Sequence, residues 1–580
     1  MKNISFKKWF SKLMLVMIRF PFSLLFIIGL AVLFFFSIDK IKIHENLRAF
    51  FVLGLTFNVA VTLFLEEFKK ISSRILFNLG SIGLLAAYCF SLPEKFIEYQ
   101  LFQVIALGIT FTLSAFFSSF LKKDNEISFW NFSLDSIIQL CISAAFSVIL
   151  FAGLSLAVLS LDKLFNIQIN TKIYSDLAVA CFVIFGPIYF LSNIPTETEK
   201  RKKDFSFNKV LKIFGIYILL PILSAYILIL YVYLFQIIIK WQLPNGWVST
   251  LVSVLGLGGF ITMFILFPLR LVNENSRIKQ LSIYFPLLLI PLLVLMSVGI
   301  FRRIDDYGLT INRLYMFLLN IWLYGISFFL LITRAKYLKW IVISFAAVLF
   351  LSSVGPWSVF NITKRSMVNE TGDLLNKAKL LRNGKVIDRA NTIQLDSASY
   401  EKLSQKIKYT CNTFGANSLQ QYFQDTLKTN DRSKIEKIIG INDLTQLKIN
   451  KSGKKIRWFN AEINEYNSAL KINKFSTFIR IHKEGGNENI FKNKELTVNY
   501  KPTAILISIS SKDSRNITIP LSNLIKQFLA SKRPNEKYDQ NLMTIENENY
   551  KLIITFLSGN YNLKNDSIFV NALDADLFLK

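Results

Sequence analysis

Residues 16–38 read VMIRFPFSLLFIIGLAVLFFFSI, an apolar run in which Arg19, near the start, is the one charge. A run of this length exceeds the roughly 20 residues that carry a helix across the hydrocarbon core of a bilayer. Lys2, Lys7, Lys8 and Lys12 stand before it, as in the basic head of a signal peptide. The run is too long for that role, it lacks a small-residue cleavage site, and further apolar runs follow, so it reads as a retained span.

Working outward, comparable runs recur at 47–65, 75–92, 99–121, 137–161, 173–194, 210–239, 247–272, 281–301, 311–332 and 338–360. They predict an α-helical polytopic membrane domain of about eleven transmembrane helices over residues 1–360. The polar remainder, 361–580, reads as a soluble α+β domain. Composition agrees: 52% of the 580 residues are hydrophobic and mean hydropathy is +0.40, although the last part is visibly polar. The formal net charge of +28 would suggest nucleic-acid binding in a soluble protein. Here both parts are basic without a stripe interleaved with stacking aromatics, and attraction to anionic lipid head groups accounts for the surplus. The reading is therefore a lipid-bilayer partner and no nucleic acid.

The short loops give the orientation. With the N-terminus in the cytoplasm, the inner segments hold roughly twice as many Lys and Arg as the outer loops. The loop with Lys200, Arg201, Lys202, Lys203, Lys209 and Lys212 votes most strongly; Lys40, Lys42, Arg48, Arg302, Arg303 and Arg313 vote against. An odd number of spans then puts 361–580 outside the cytoplasm, in a bacterial cytoplasmic (inner) membrane.

In the polar part, Ser397–Tyr409, Gly415–Leu427, Asp431–Ile439 and Pro520–Ala530 read as helices. Ile456–Ile463, Ser476–Ile481, Leu496–Tyr500 and Ala504–Ser510 read as strands. Lys551–Leu557 and Ser567–Ala572 suggest a terminal hairpin with a turn at Ser558-Gly559-Asn560. The sheet is expected to be mainly antiparallel.

Chemistry is sparse. Cys89, Cys141, Cys181 and Cys411 form no CxxC pair, and with His44 and His482 the only histidines, no metal site and no cofactor are expected. HExxH, GxSxG and Walker A patterns are missing. Glu66 and Glu67 close the second span, and Asn58, Asn78, Gln103, Gln139 and Asn320 lie deeper, where interhelical hydrogen bonding accounts for such amides. The densest polar stretch is an outer-loop candidate carrying Arg302, Arg303, Asp305, Asp306, Tyr307, Thr310 and Arg313. Its arginines suit a phosphate or carboxylate, with Thr310 capping the next helix; the plainer reading is a salt-bridged anchor between two spans. Gly186-Pro187 and Gly355-Pro356, five spans apart, are helix-kink candidates. They admit an inverted repeat, with coincidence the simpler account. Gly256-Leu257-Gly258-Gly259 reads as a close-packing patch within a span.

The Arg303–Arg313 segment with its Tyr307-Gly308-Leu309-Thr310 centre resembles domain-of-unknown-function family 4153. So do the Val354-Gly355-Pro356-Trp357 turn, the polar helix around Leu374, the Asn383-Gly384 turn and the Phe185-Gly186-Pro187 to Pro195 stretch. The resemblance runs to about Lys385. It implies a multi-pass bacterial envelope protein and supplies no catalytic residues. Three roles are compatible with this pattern. One is an envelope binding or scaffold protein engaging a protein, lipid or polysaccharide. Another is a lipid-linked group transferase, with Asp39 and Glu45 on its first outer loop, and the third is a transporter.

Overall fold

A computed structural model describes residues 6–67, 71–121, 126–165, 169–200, 209–240, 247–272, 277–386, 397–439, 447–449, 455–463, 476–484, 489–492, 496–501, 506–511, 516–523, 525, 537–538, 544–562 and 567–580. The chain divides into two compact units: Met1–Gly372 with Tyr409–Leu419, and Asp373–Lys408 with Gln420–Lys580.

The first unit is helical. A surface helix α1 (Phe6–Arg19) precedes α2 (Pro21–Ile38), α3 (Glu45–Leu65), α4 (Ile71–Ser91), α5 (Glu98–Phe117) and α6 (Glu126–Phe165). A composite span follows, α7 (Lys172–Ala178), a π-helical segment (Val179–Phe185) and α8 (Gly186–Ser192), and then the short α9 (Glu197–Lys200). Another composite joins α10 (Lys209–Ile213), a second π-segment (Phe214–Leu219) and α11 (Leu220–Lys240). It is followed by α12 (Trp247–Val272), α13 (Arg277–Tyr307), α14 (Ile311–Ile332), α15 (Lys339–Ser353) and α16 (Val359–Lys377).

Among the described residues ten helices are long and apolar enough to cross a membrane, and every apolar run of the sequence is helical. The last run departs from expectation. Its helix α15 stops at Ser353, about 22 Å long against a hydrocarbon core of about 30 Å, because Gly355 takes a left-handed φ of +90° ahead of Pro356.

Both π-segments have a local cause. Proline has no N–H to close the helical ladder, and the turn before each one widens to an i→i−5 bond. Gly186 N–H reaches Cys181 O just before Pro187, and Leu220 N–H reaches Gly215 O just before Pro221.

Amides join the first spans. Ser23 Oγ donates to Asn58 Oδ1 (2.8 Å), Asn58 Nδ2 to Asn78 Oδ1 (2.5 Å) and Asn78 Nδ2 to Thr62 Oγ1 (3.3 Å), linking α2, α3 and α4. Elsewhere Gln103 Nε2 donates to Ser353 O (2.9 Å), and Asn320 Nδ2 to Ser297 Oγ (2.9 Å). In the α12–α14 layer, Gly256 and Gly259 let Leu323 and Phe285 approach the helix backbone, which is the close packing expected of that patch.

The second unit carries the sheets. Strands β1 (Leu381–Arg382) and β2 (Lys385–Val386) form a small hairpin around Asn383-Gly384. Helix α17 (Ser397–Phe414) passes between the units in sequence, followed by a 3-10 segment Ala416–Tyr422 and α18 (Arg432–Ile439). Then come β3 (Leu447–Ile449), β4 (Lys455–Ile463), β5 (Thr477–Glu484), β6 (Asn489–Lys492), β7 (Leu496–Lys501), β8 (Leu506–Ser511) and β9 (Asn516–Pro520). The last strands are β10 (Lys537–Tyr538), β11 (Thr544–Glu546), β12 (Tyr550–Asn562) and β13 (Ser567–Leu579).

One sheet runs β10-β4-β12-β13-β5, with β3 on β4 and β11 on β12. The other is the meander β6-β7-β8-β9. Among the described pairs only β10–β4 is parallel. Alternating residues such as Ile481, Ile507, Ile509, Leu552, Leu573 and Leu577 fill one core.

One turn signal acted differently from its reading. Ser558-Gly559 is a register irregularity inside β12, which continues to Asn562, because a β-bulge uses the same flexible residues as a turn. Pro520 ends β9 just ahead of the expected helix. Helical geometry is described only at Ser522, Asn523 and Ile525, and most of the expected Pro520–Ala530 helix lies outside the described residues.

A Cβ on Gly259 would lie 1.9 Å from the ring of Phe285, itself 1% exposed. Gly259→Ala is therefore expected to cost about 1–3 kcal/mol and lower the thermal midpoint of the detergent-solubilised protein. Phe285→Leu is expected to recover part of that loss. Gly258→Ala, which meets nothing within 4 Å, is expected to leave the midpoint unchanged.

Candidate functional site

The strongest polar constellation in the helical unit joins residues far apart in sequence. Arg19 closes α1, Glu66 caps α3, Ser119 follows α5 and Lys200 ends α9. Arg19 Nε donates to Glu66 Oε1 (2.6 Å), its Nη1 to Ile194 O (2.8 Å) and its Nη2 to Pro195 O (2.9 Å). Lys200 Nζ donates to Glu66 Oε2 (2.5 Å) and Ser119 Oγ (2.9 Å) and lies 5.3 Å from the centre of the Phe132 ring. Side-chain exposure is only 12% for Arg19 and Glu66 and 4% for Lys200.

Burial sets the electrostatics. It pushes the Glu66 carboxyl upward, yet the Arg19 hydrogen bond and the charges of Lys200 and Arg19 outweigh it and hold the group below its ordinary value. Burial likewise lowers the Lys200 ammonium, and attraction to Glu66 restores only part of the loss.

An apolar cavity of about 370 Å³, within the range of small-molecule sites, borders this cluster. Leu55, Val59 and Leu63 of α3, Thr112 and Phe116 of α5, and Phe182, Gly186 and Phe190 of the composite span contribute to its wall. The longest contribution comes from α6, from Phe132 to Ser147, roughly 22 Å at the helical rise. Cavity and cluster share residues: Ile194 lines the one and accepts Arg19 of the other, and Ser119 Oγ donates to the carbonyl of Leu63 (2.8 Å).

The Gly186-Pro187 candidate forms part of this wall. Ser143 Oγ donates to Gly186 O (2.6 Å), and a Cβ on Gly186 would come within 2.7 Å of Ser147 Oγ. Gly355-Pro356 behaves differently. Gly186 is helical, at φ −56°, whereas Gly355, at φ +90°, sits in a turn whose carbonyl accepts Asn361 Nδ2 (2.9 Å).

The residues of the outer-loop candidate are arranged as the end of one helix and the start of the next. Arg302, Arg303 and Asp305 are exposed on the last turns of α13, and the side chains of Asp306 and Tyr307 lie outside the described residues. Gly308, at φ +80°, ends the helix with its N–H on Ile304 O (2.7 Å), and Arg313 Nη1 folds back to Gly308 O (2.7 Å). Thr310 occupies the N-cap position of α14, but its side chain makes no cap bond; the Tyr409 hydroxyl accepts the Ile311 N–H (3.0 Å) instead. Of the first-loop acids, Asp39 pairs with Lys172 (2.9 Å) and Glu45 Oε2 accepts the Phe96 N–H (2.6 Å).

Arg19, Glu66 and Lys200 were each conspicuous in the sequence as charges at span edges, and only the packing of α1, α3 and α9 joins them. The hydroxyl row Ser136, Ser143, Ser147 on α6 was legible from its spacing, which repeats whole helical turns, and sequence reasoning passed over it.

Removing the Glu66 charge leaves two buried cations together. Glu66→Gln is expected to destabilise the helical unit by about 3–5 kcal/mol, read as a lower thermal midpoint in detergent. The pH dependence has a fixed sign. Because the Glu66 carboxyl is lowered on folding, its contribution is complete above the ordinary value of 4.5 and fades as pH falls through the lowered one. The acid-side loss of stability is expected to be shallower in Glu66→Gln than in the wild-type protein.

No solved structure matches the chain. "Uncharacterized protein PM1469" of Pasteurella multocida (strain Pm70) is 24% identical over 291 residues, 49% of this chain and 49% of that protein. The chain thus spans about half the length of the curated relative it matches. The family model described as Domain of unknown function (DUF4153) matches residues 24–380, from α2 to the start of the β1–β2 hairpin, including Glu66, Lys200 and the cavity wall. That match covers more than half of the chain, and the protein belongs to the DUF4153 family.

Proposed function

We propose that this protein is a multi-pass component of a bacterial cytoplasmic membrane that binds a membrane amphiphile within its helical unit and serves the envelope as a binding or scaffold protein. The observation that carries the reading is the cavity: apolar, about 370 Å³ in volume, and bordered at Leu63, Phe132 and Ile194 by the buried ionic cluster. An acyl or isoprenoid tail suits such a cavity, and an anionic head group suits its charged border. The transferase and transporter readings draw less support. Asp39 and Glu45 are engaged in ion-pair and backbone contacts, and Asn58 and Asn78 bond one another.

In the proposed topology the N-terminus is cytoplasmic and residues 361–580 form an extracytoplasmic α+β domain. The basic loop at Lys200–Lys203 supports that sidedness. So does the arrangement of contacts. Arg19, Glu66 and Lys200 meet at one end of the bundle, whereas the end of α15 meets the start of α5 at its other end, through Gln103 and Ser353.

Native mass spectrometry of the full chain, gently extracted, is expected to show a co-purifying lipid. Ala144→Trp, which fills the channel from an exposed position on α6, is expected to lose that lipid and retain the thermal midpoint. A protein that carries no lipid, or an Ala144→Trp variant that carries it unchanged, overturns the reading. For sidedness, a C-terminal alkaline phosphatase fusion is expected to be active and a C-terminal cytosolic fluorescent fusion dark; the reverse pattern inverts the topology.

A further inference from the structure

Helix α1 is surplus to the span that follows it. The 18 residues of α2 make about 27 Å of helix, close to the roughly 30 Å of a hydrocarbon core, and Phe20 leaves helical geometry (φ −126°, ψ 51°) between the two helices. The 14 residues of α1 therefore lie outside that span. Their last member, Arg19, is fixed at the border of the bundle by Glu66 and by the carbonyls of Ile194 and Pro195.

One side of α1 is bound to the protein. Val16 is fully buried in the cluster that contains Leu191 and Ile194, and Lys12 Nζ donates to Asn193 Oδ1 (2.6 Å). The other side is apolar and uncovered: Met14, Met17 and Ile18, which share one face of the helix, are 55%, 56% and 77% exposed. Other helices also expose apolar side chains, but those belong to spans of bilayer length. Charge sets α1 apart as well. Residues 1–38 contain Lys2, Lys7, Lys8, Lys12 and Arg19 and no Asp or Glu.

We infer that α1 is an in-plane anchor seated on an anionic lipid surface, with Met14, Met17 and Ile18 in the acyl boundary and the lysines of the N-terminal segment on lipid head groups. A basic helix with an uncovered apolar face is the usual form of such an anchor. Charge complementarity selects the occupant. A second copy laid against this face would bring five more cations and no acid from the same segment, whereas anionic head groups supply the missing counter-charge. The inference is independent of the cavity and of which side of the membrane is cytoplasmic.

The test reconstitutes the full-length chain into phosphatidylcholine vesicles with and without phosphatidylglycerol. An environment-sensitive fluorophore is carried on Met14→Cys, in a background where the exposed Cys141 is replaced, Cys141→Ser. With phosphatidylglycerol the label is expected to be quenched by brominated acyl chains and shielded from aqueous acrylamide. Without it, acrylamide is expected to gain access. In the anionic vesicles Lys7→Gln/Lys8→Gln is expected to restore that access, each lysine shifting the ratio of seated to free helix about fivefold. Equal acrylamide access in both vesicles, or shielding that survives the double substitution, overturns the inference. Disulfide-linked dimers formed by unlabelled Met14→Cys on oxidation overturn it in favour of a second copy.

Discussion

Hydrocarbon offers a polar group no solvent, so each donor and acceptor inside the helical unit must find its partner in the protein. Most features of this unit follow from that demand. Helices satisfy their own backbones, and the paired amides Asn58 and Asn78 bond one another. Ser23, Asn58, Thr62 and Asn78 form a closed network across α2, α3 and α4, in which a single amide links neighbouring helices on both sides. Where proline removes a donor, the ladder widens by one residue, as Gly186 and Leu220 show with their bonds to Cys181 and Gly215.

The same constraint acts on charge. Arg19, Glu66 and Lys200 lie at the border of the bundle, where each alone would draw water. Together they bury an ionic knot whose guanidinium also satisfies two carbonyls beyond the end of α8. Buried ion pairs of this kind add little net stability relative to an apolar substitute, but they penalise arrangements that separate the partners. The knot ties the N-terminal helix and the segment after the composite span to the end of α3. It therefore holds the floor of the cavity in place.

The cavity itself comes from small residues and a distorted helix. Gly186 lacks the Cβ that would crowd Ser147, and the π-segment before it contributes Phe182 to the cavity wall. π-bulges recur at functional sites. At the second π-segment Leu266 packs directly against Gly215.

Period and polarity of the chain were enough to reveal the helical architecture. Apolar runs of bilayer length, separated by charged loops, have few alternatives in the folding of a chain, and alternating residues in the polar part likewise announced the β12–β13 hairpin. Local signals were less decisive where one residue type serves two geometries: Ser558-Gly559 is a bulge and not a turn, and Gly355 ends a helix while Gly186 lies within one. The site was beyond the reach of sequence for a different reason. Arg19 and Lys200 stand on either side of the first six spans, with Glu66 after the second, and nothing in a linear pattern states which span ends share a corner. Composition and periodicity determined that this chain threads a membrane; tertiary packing alone decided where a gap would remain between its helices, because a void is a property of surfaces that face each other and no single segment encodes it.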